Sequence, residues 1–292
     1  FRKHLTVLED EEGRIRIYNA LDDDYLGVWV SEDGVNFEAP ETGIQHGAAR
    51  NIVIPDEVGI GAMILDPNAP PASRWRYIAD YRRRGMYVYT SPDGFRFTRH
   101  LQMVAPFRSG SQPDVYYDDQ KGHYTGFHRS DFYRTPAGET VRTFVMTEMN
   151  DLMSPWPFTP ATAEDYVQTD PDRIMNPLHP WYLDNGPLTP GGWGVEYPPV
   201  FGPEYDLDPE STAGIYNPKA IKYPWAPDTY LAFPVHYLYY YEGPPGQKVL
   251  SVRRGGGPTE TQFAASRNGV EWNRFPRPTY VGMGEVEGIY FT

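Results

Sequence analysis

The sequence predicts an all-β protein assembled from repeated blades of about four strands each. A short pattern, Ser-x-Asp/Asn-Gly followed by an aromatic residue, occurs three times, beginning at Ser31, Ser91 and Ser266. Aromatic residues make up 15% of the 292 residues, alongside 30 prolines and 28 glycines. This composition suits many short strands joined by turns, and a period of 50 to 60 residues is typical of blades.

Each copy of the pattern predicts the same hairpin. An Asp-Gly or Asn-Gly pair between two β-prone runs is a strong hairpin signal, because these residues tolerate positive φ. The aromatic residues after the three turns are Phe37, Phe97 and Trp272, and we expect each to pack back onto its hairpin. The first two copies start 60 residues apart. Residues 147–158 form a degenerate fourth copy, with Trp156 at the aromatic position.

The strand-like runs between these turns divide the chain into successive blades. The first blade contains HLTVLED, RIRIYNAL and YLGVWV; the second starts at ARNIVI and continues through IGAMILD, RWRYIADYR and GMYVYT. The third contains QPDVYYDDQKGHYTGFHRS and VRTFVMTEM; the fourth contains YNPKAIKY, DTYLAFPVHYLYYY and TETQFAA; a fifth unit begins at PTYVGMGEVEGIYFT. We therefore predict one domain over residues 1–292.

Residues 156–212 interrupt this order. They are rich in Pro, Gly, Trp and Asp and lack strand periodicity. Segments of this length without secondary structure are uncommon in compact domains and tend to be functional. We predict an insertion that covers the mouth of the site as a lid or mediates oligomer formation.

Charge and missing motifs exclude several classes of function. The net charge of −13 disfavours binding to phosphate backbones, so no nucleic-acid partner is predicted. No apolar run is long enough to span a membrane. The absence of cysteine excludes thiolate catalysis and cysteine-ligated zinc. The chain begins with Phe1 and not with Met, which fits a removed leader and a secreted or periplasmic location.

The runs QPDVYYDDQKGHYTGFHR, IYNPKAIKYPWAPDTYLAFP and GMGEVEGIYF resemble the five-bladed β-propeller glycoside hydrolases, which include families 32 and 43. The resemblance implies a five-bladed β-propeller whose last blade is incomplete here. It also implies an active site at the central channel, with three acidic residues from the innermost strands of different blades. The sequence departs from this pattern at the first inner strand, where His4 stands in place of the expected Asp.

Three carboxylates are the candidate catalytic residues. Glycoside hydrolysis normally uses two carboxyl groups that flank the scissile bond. Asp114 begins the predicted inner strand of the third blade, and it aligns loosely with the Asp that orients the sugar in the resembled families. Glu285 and Glu287 are two residues apart, so on a strand both point to one face, where mutual repulsion raises one pKa and suits a general acid.

Polar residues at other strand ends are the candidate substrate-binding groups. In a propeller these ends converge on one channel mouth, where they bind sugar hydroxyls or the carboxylate or sulfate of an acidic sugar. These candidates are Arg50 and Asn51 at the start of the second blade's inner strand, His128 and Arg129 at a strand end in the third blade, Tyr216 and Asn217 at the start of the fourth blade's inner strand, and His236 in its second strand. No cofactor is predicted; inner carboxylates are also compatible with a channel calcium ion, although no loop presents a ligand set.

These observations predict a glycoside hydrolase that acts on a plant or algal polysaccharide or oligosaccharide at the central channel, using paired carboxylates. Two alternatives stay open. One is a non-catalytic carbohydrate-binding propeller, which the departure at His4 favours. The other is a structural or assembly module whose insertion docks a partner. The sequence leaves the sugar, the linkage and the stereochemical course undetermined.

Overall fold

The computed structural model describes residues 4–21, 25–81, 85–105, 109, 111–134, 140–157, 199–201, 213–238, 259–275 and 279–282. Within them the chain is almost entirely antiparallel β-sheet, with a single turn of 3₁₀ helix at Pro71–Ser73. No helix in these ranges has the length and hydrophobicity of a membrane-spanning segment. The strands fall into two compact units, Phe1–Gly126 with Thr147–Glu196, and Phe127–Met146 with Tyr197–Thr292. The predicted all-β class is confirmed.

Two sheets lie in the first unit. The first sheet has the order β1 (Leu5–Glu9), β2 (Ile15–Leu21) and β3 (Tyr25–Ser31). The second has the order β4 (Gly61–Leu65), β5 (Trp75–Asp80), β6 (Met86–Ser91) and β7 (Thr98–Ala105). Their shared core is rich in tyrosine, and the buried Tyr18 and Tyr77 hydroxyls each donate to a backbone carbonyl, at 3.0 and 2.6 Å. Among the described residues, Tyr18, Trp75, Tyr77, Tyr87 and Tyr89 are therefore core residues.

The predicted first strand of the second blade is wrong. The run ARNIVI forms only one isolated bridge, between Ile52 and Gly27, and β4 is the first strand of this sheet. Ile52, Val53 and Ile54 are all fully buried, so the run lacks the alternation of a half-buried strand. Its backbone instead bonds to Leu26, Val28 and Phe97. The apolar composition reflects burial between elements and not a strand.

The third sheet has the order β11-β10-β9-β8, formed by β8 (Asp114–Asp118), β9 (His123–Arg134), β10 (Thr140–Met149) and β11 (Pro199–Phe201). The predicted insertion, residues 156–212, follows the third strand of this sheet. Residues 158–198 and 202–212 lie outside the described ranges, but Pro199–Phe201 within the predicted insertion forms the strand that pairs with β10. The extent of the insertion, residues 156–212, and its role as a lid or in oligomer formation stay predictions.

The fourth predicted blade consists of two sheets. Short breaks divide its predicted strands, and the pieces on either side of the breaks pair into separate sheets. The sheets have the orders β12-β15-β16-β19 and β13-β14-β17-β18. Their strands are β12 (Ala213–Asn217), β13 (Ala220–Lys222), β14 (Tyr230–Ala232), β15 (Val235–Leu238), β16 (Thr259–Gln262), β17 (Ala264–Ser266), β18 (Trp272–Asn273) and β19 (Thr279–Val281). The interruptions include Pro218 and Pro234, which cannot donate to a ladder. Lys219, at φ 44°, completes the first break.

The three repeated hairpins have the same hydrogen bonds. In each, the amide of the turn glycine donates to the serine hydroxyl at 2.9 to 3.0 Å, and the Asp or Asn side chain accepts from the amide two residues on. The glycines Gly34, Gly94 and Gly269 have φ of 73°, 78° and 74°. The hairpins follow β3, β6 and β17, in three different sheets. The predicted repeat is confirmed as a turn that ends the third strand of a sheet.

The degenerate copy keeps part of this turn. Asp151 Oδ1 accepts from the Met153 amide at 2.9 Å, as Asp33, Asp93 and Asn268 accept from the amide two residues on in the other copies. Trp156 is buried and its indole donates to the Leu152 carbonyl at 3.3 Å, much as the Trp272 indole donates to Gly269 at 3.1 Å. This turn follows β10, the third strand of its sheet. A fourth sheet therefore has a related turn at the same position.

A buried carboxylate ties the end of β1 to β2. Asp10 accepts from the Arg14 backbone and Nε, both at 2.9 Å, and from Arg16 Nε at 2.8 Å. Burial by itself raises the pKa of this carboxyl, but the hydrogen bonds from Arg14 and Arg16 outweigh burial and hold the pKa below its ordinary value of 3.8. The ion pair therefore stabilises the fold at neutral pH.

Asp10→Asn is expected to lower the free energy of unfolding at pH 7 by about 2 kcal/mol, because bonds to a charged acceptor are lost. Because the folded pKa is depressed, the charge stabilises above about pH 4 and this contribution is lost as the pH falls through the folded pKa. Urea unfolding at several pH values measures this. Glu12→Gln, which removes an exposed partner of the same Arg14, is the control and should change little. A penalty for Asp10→Asn that is constant from neutral pH into strong acid would contradict the assignment.

Candidate functional site

The starts of three strands meet in the first unit. The side-chain amide of buried Gln112 lies 3.4 Å from the Leu5 carbonyl, 3.1 Å from Thr6 Oγ1 and 3.2 Å from the Gly61 carbonyl. Leu5 and Gly61 begin β1 and β4, and Gln112 lies two residues before β8. These are the first strands of three consecutive sheets, and β4 lies against both β1 and β8. We call this region the strand-start end.

Asp114 lies at the strand-start end. It is half-buried and is the first residue of β8, as predicted. Gln112, which holds the neighbouring strands, is separated from it only by Pro113. The Asp114 carboxylate is therefore attached to backbone that the Gln112 contacts hold against β1 and β4. No sequence signal pointed to Gln112, because a lone glutamine before Pro belongs to no motif.

His4 also lies at this end, directly before β1. Its side chain is buried and its φ is 66°, in the left-handed region that side chains adopt at a cost. The resemblance predicted an acidic residue at this strand. The structure places a buried imidazole there.

Arg50 and Asn51 do not begin an inner strand, contrary to the prediction, because the ARNIVI run is irregular. Asn51 is buried and its side-chain amide donates to the Val28 carbonyl at 2.9 Å, so it holds β3 in place. Arg50 is exposed and donates to the Gly47 carbonyl at 3.2 Å. Asn51 therefore has a structural contact, while the Arg50 guanidinium stays accessible to solvent.

Two further carboxylates precede β4 and were not among the predicted site residues. Asp56 is half-buried; it accepts from the Tyr89 hydroxyl at 3.1 Å and lies 3.5 Å from Arg99 Nε. Burial raises the pKa of the Tyr89 hydroxyl far above its usual range, so it stays a donor. The Arg99 guanidinium lies 3.8 Å from the Tyr81 ring centroid. Glu57 is exposed and lies 3.5 Å from the Tyr25 hydroxyl.

The second unit brings two predicted residues into contact. The Arg129 guanidinium lies 5.2 Å from the Tyr216 ring centroid, within reach of a cation–π interaction. Tyr216 and Asn217 end β12 and do not begin a strand, because Pro218 stops the ladder after Asn217. A bulge between Ile215 and Asn217 changes the direction of the side chains at this position. The predicted position at a strand start was wrong for Tyr216 and Asn217, and the contact between Arg129 and Tyr216 was not predicted.

His128 lies within β9 and not at a strand end, contrary to the prediction. Its ring is fully buried, and burial lowers its pKa to about 3. The imidazole is therefore neutral at physiological pH. It does not supply the positive charge that binding to an acidic sugar would use.

His236 belongs to a buried polar network in the same unit. Gln262 links its members: its amide nitrogen lies 3.4 Å from His236 Nδ1 and donates to Glu260 at 2.8 Å, and its amide oxygen accepts from Arg274 at 2.7 Å. His236, Gln262 and Arg274 are buried, and Glu260 is half-buried opposite His236 in the ladder. Alternation along TETQ would have indicated that Glu260 and Gln262 share a face.

Glu285 and Glu287 lie outside the described residues, so their role stays a prediction. The remaining candidates fall into two sets, one per unit: Asp114, Arg50 and Asn51 in the first, and His128, Arg129, Tyr216, Asn217 and His236 in the second. No group of three or more His, Asp or Glu side chains within the described ranges is arranged to hold a metal ion. The channel calcium ion stays a prediction.

In the first unit the first strands of successive antiparallel sheets lie side by side, β4 against both β1 and β8. Solved structures, among them glycoside hydrolases, share the fold of this chain, so the predicted resemblance to β-propeller glycoside hydrolases is confirmed for the fold. One, described as a complex of BT0996 with RGII, has a TM-score of 0.53 and 11% identity and covers 98% of this chain and 76% of its own. Another, described as a glycoside hydrolase, has the same values.

A third similar structure is a mutant α-L-arabinofuranosidase from Fusarium graminearum, in complex with an iminosugar inhibitor. Its TM-score is 0.50 at 11% identity, over 96% of this chain and 68% of the other. No family model and no curated protein sequence matches this chain.

Proposed function

We propose that this chain is a glycoside hydrolase that cleaves a plant or algal polysaccharide or oligosaccharide, with an arabinose-containing glycan as the first candidate. The observation that carries the proposal is Asp114 at the strand-start end, two residues after Gln112, whose amide contacts the starts of β1 and β4. A half-buried carboxylate on a rigid strand start can transfer a proton or orient a sugar with little reorganisation.

The comparisons support the sugar class. One similar structure is described with RGII, and another is an α-L-arabinofuranosidase. Hydrolysis requires a second carboxyl group. We assign that role to Glu285 or Glu287, and sugar contacts to Arg50, Arg129 and Tyr216, the predicted binding residues whose side chains are not buried.

A non-catalytic carbohydrate-binding propeller is the second candidate. The observation that favours it is His4, a buried imidazole at the first inner strand where the resembled enzymes carry an acid. Such a protein keeps the polar groups that bind sugar and lacks one group that the reaction needs.

Hydrolysis assays distinguish the two candidates. The purified chain is incubated with linear arabinan, branched arabinan and rhamnogalacturonan preparations, and the release of reducing ends is measured with time. A glycoside hydrolase releases sugar from at least one of them, in proportion to the enzyme concentration. Binding of these glycans in affinity electrophoresis without any release would instead support the binding propeller. Neither binding nor release would contradict both.

A further inference from the structure

The loop of residues 42–50, between β3 and β4, is closed on itself by main-chain hydrogen bonds. The Thr42 amide donates to the Arg50 carbonyl at 3.0 Å, and His46 and Ala49 exchange amide-to-carbonyl bonds of 3.3 and 3.0 Å. Arg96 Nε also donates to the Thr42 carbonyl at 2.8 Å. Most of its side chains are exposed although its backbone is fixed. Compact surface loops with joined ends are frequently functional.

The side chains of this loop converge beside Tyr25. The exposed His46 ring stacks on the Tyr25 ring, with centroids 4.3 Å apart and an interplanar angle of 30°. Gln45 Nε2 and Arg50 Nη1 both donate to the Gly47 carbonyl, at 3.1 and 3.2 Å. An aromatic pair, an amide and a guanidinium therefore present one exposed surface.

This surface lies at the strand-start end. Tyr25 begins β3 and pairs with Leu21, while Leu5 at the start of β1 pairs with Asn19, so Tyr25 and the start of β1 are at the same end of the first sheet. The Gln112 amide contacts β1 at Leu5. The loop therefore flanks the end of the unit that carries Asp114.

Arg50 supplies positive charge to this surface, where the exposed Glu57 carboxylate also lies 3.5 Å from the Tyr25 hydroxyl. The chain has a net charge of −13, and Arg14, Arg16 and Arg76 are each paired with a carboxylate. Arg50 has no carboxylate within ion-pair distance in the part of the chain that the structure describes; its bond is to a backbone carbonyl. A planar guanidinium held in this way suits bidentate binding of a carboxylate or a sulfate.

We propose that Tyr25, Gln45, His46 and Arg50 form a subsite for an anionic sugar unit, which names the substrate class of the proposed function and rests on it. The apolar C–H face of the sugar stacks on the exposed His46 ring. Arg50 pairs with the acidic group, and the Gln45 amide bonds to a hydroxyl. The acidic group is the carboxylate of a uronate or the sulfate of a sulfated sugar.

Calorimetric titration at low salt tests the subsite with three probes: trigalacturonate, a sulfated galactose trisaccharide and neutral α-1,5-arabinotriose. The wild-type protein is expected to bind one anionic probe at least tenfold more tightly than the neutral one, and the tighter of the two identifies the acidic group. Arg50→Gln should abolish this preference, and His46→Ala should weaken binding of the anionic probe by about tenfold. Arg267→Gln, at an exposed arginine paired with Asp228, is the matched control and should change nothing.

Equal affinity of the wild-type protein for all three probes would overturn the subsite, as would a preference that survives Arg50→Gln. Hydrolysis of linear arabinan, branched arabinan and rhamnogalacturonan by the wild-type protein is measured in parallel. Sugar release without an anionic preference contradicts the subsite alone. An anionic preference without release of any sugar contradicts the proposed reaction alone.

Discussion

Asp114→Asn is expected to lower kcat/KM on the hydrolysed glycan by about 10²- to 10⁴-fold, the range that a positioned acid or base contributes. Asparagine has nearly the same shape, so the start of β8 and its neighbour Gln112 keep their places. The amide carries no charge and does not transfer the proton, so chemistry is lost while the fold is kept. Initial rates measure the first effect and urea unfolding the second, with a change in free energy of unfolding below about 1 kcal/mol expected for a half-buried site.

Asp119→Asn is the matched control. It makes the same change at an exposed carboxylate in the turn that follows β8, five residues further along. Its kcat/KM should stay within about twofold of the wild-type value, because a solvated turn carboxylate takes no part in the reaction. Equal losses in the two variants would mean that general charge, and not the position of Asp114, matters. A binding propeller would instead lose about 1–3 kcal/mol of sugar affinity in Asp114→Asn and show no hydrolysis.

Local signals in the sequence predicted local structure well. The Asp-Gly and Asn-Gly turns were identified because their chemistry is contained within four residues, and their hydrogen bonds repeat in three sheets. The ARNIVI run was misassigned because its burial comes from several distant elements, including Leu26 and Phe97. The apolar composition of the run indicates that it is buried. It does not indicate whether its backbone pairs with a neighbouring strand.

The sequence predicted the position of a candidate site residue only where that residue begins a strand. Asp114 follows Pro113 and begins β8, so its position could be inferred from local sequence. The positions of Gln112 and Arg274 could not be inferred from local sequence. Gln112 forms hydrogen bonds with Leu5 and Gly61, and Arg274 with Gln262, none of which is a near neighbour in the chain. Long-range hydrogen bonds of this kind have no periodic signature.

The repeated turn also sets up a comparison of two glycines with the same backbone and different surroundings. Gly94 has φ 78°, and a Cβ added there would lie 2.8 Å from Arg16 Nη1 and 2.8 Å from Trp75 Cδ2. Trp75 and the adjacent Tyr18 are buried, and the Tyr18 hydroxyl donates to the Gly94 carbonyl at 3.0 Å. Gly34 occupies the same turn position with φ 73°, but the nearest atom to its added Cβ is Ile15 Cγ1 at 3.9 Å.

Gly94→Ala is therefore expected to lower the free energy of unfolding by about 2–5 kcal/mol, the sum of left-handed backbone strain and overpacking against a core that cannot yield. Gly34→Ala has the same strain without the clash, so a loss of only about 1–2 kcal/mol is expected. Urea unfolding followed by tryptophan fluorescence measures both, and Trp75 reports directly on the Gly94 side. Similar losses in the two variants would show that Tyr18, Arg16 and Trp75 move aside, and that the turn is not locked against the core of the first unit.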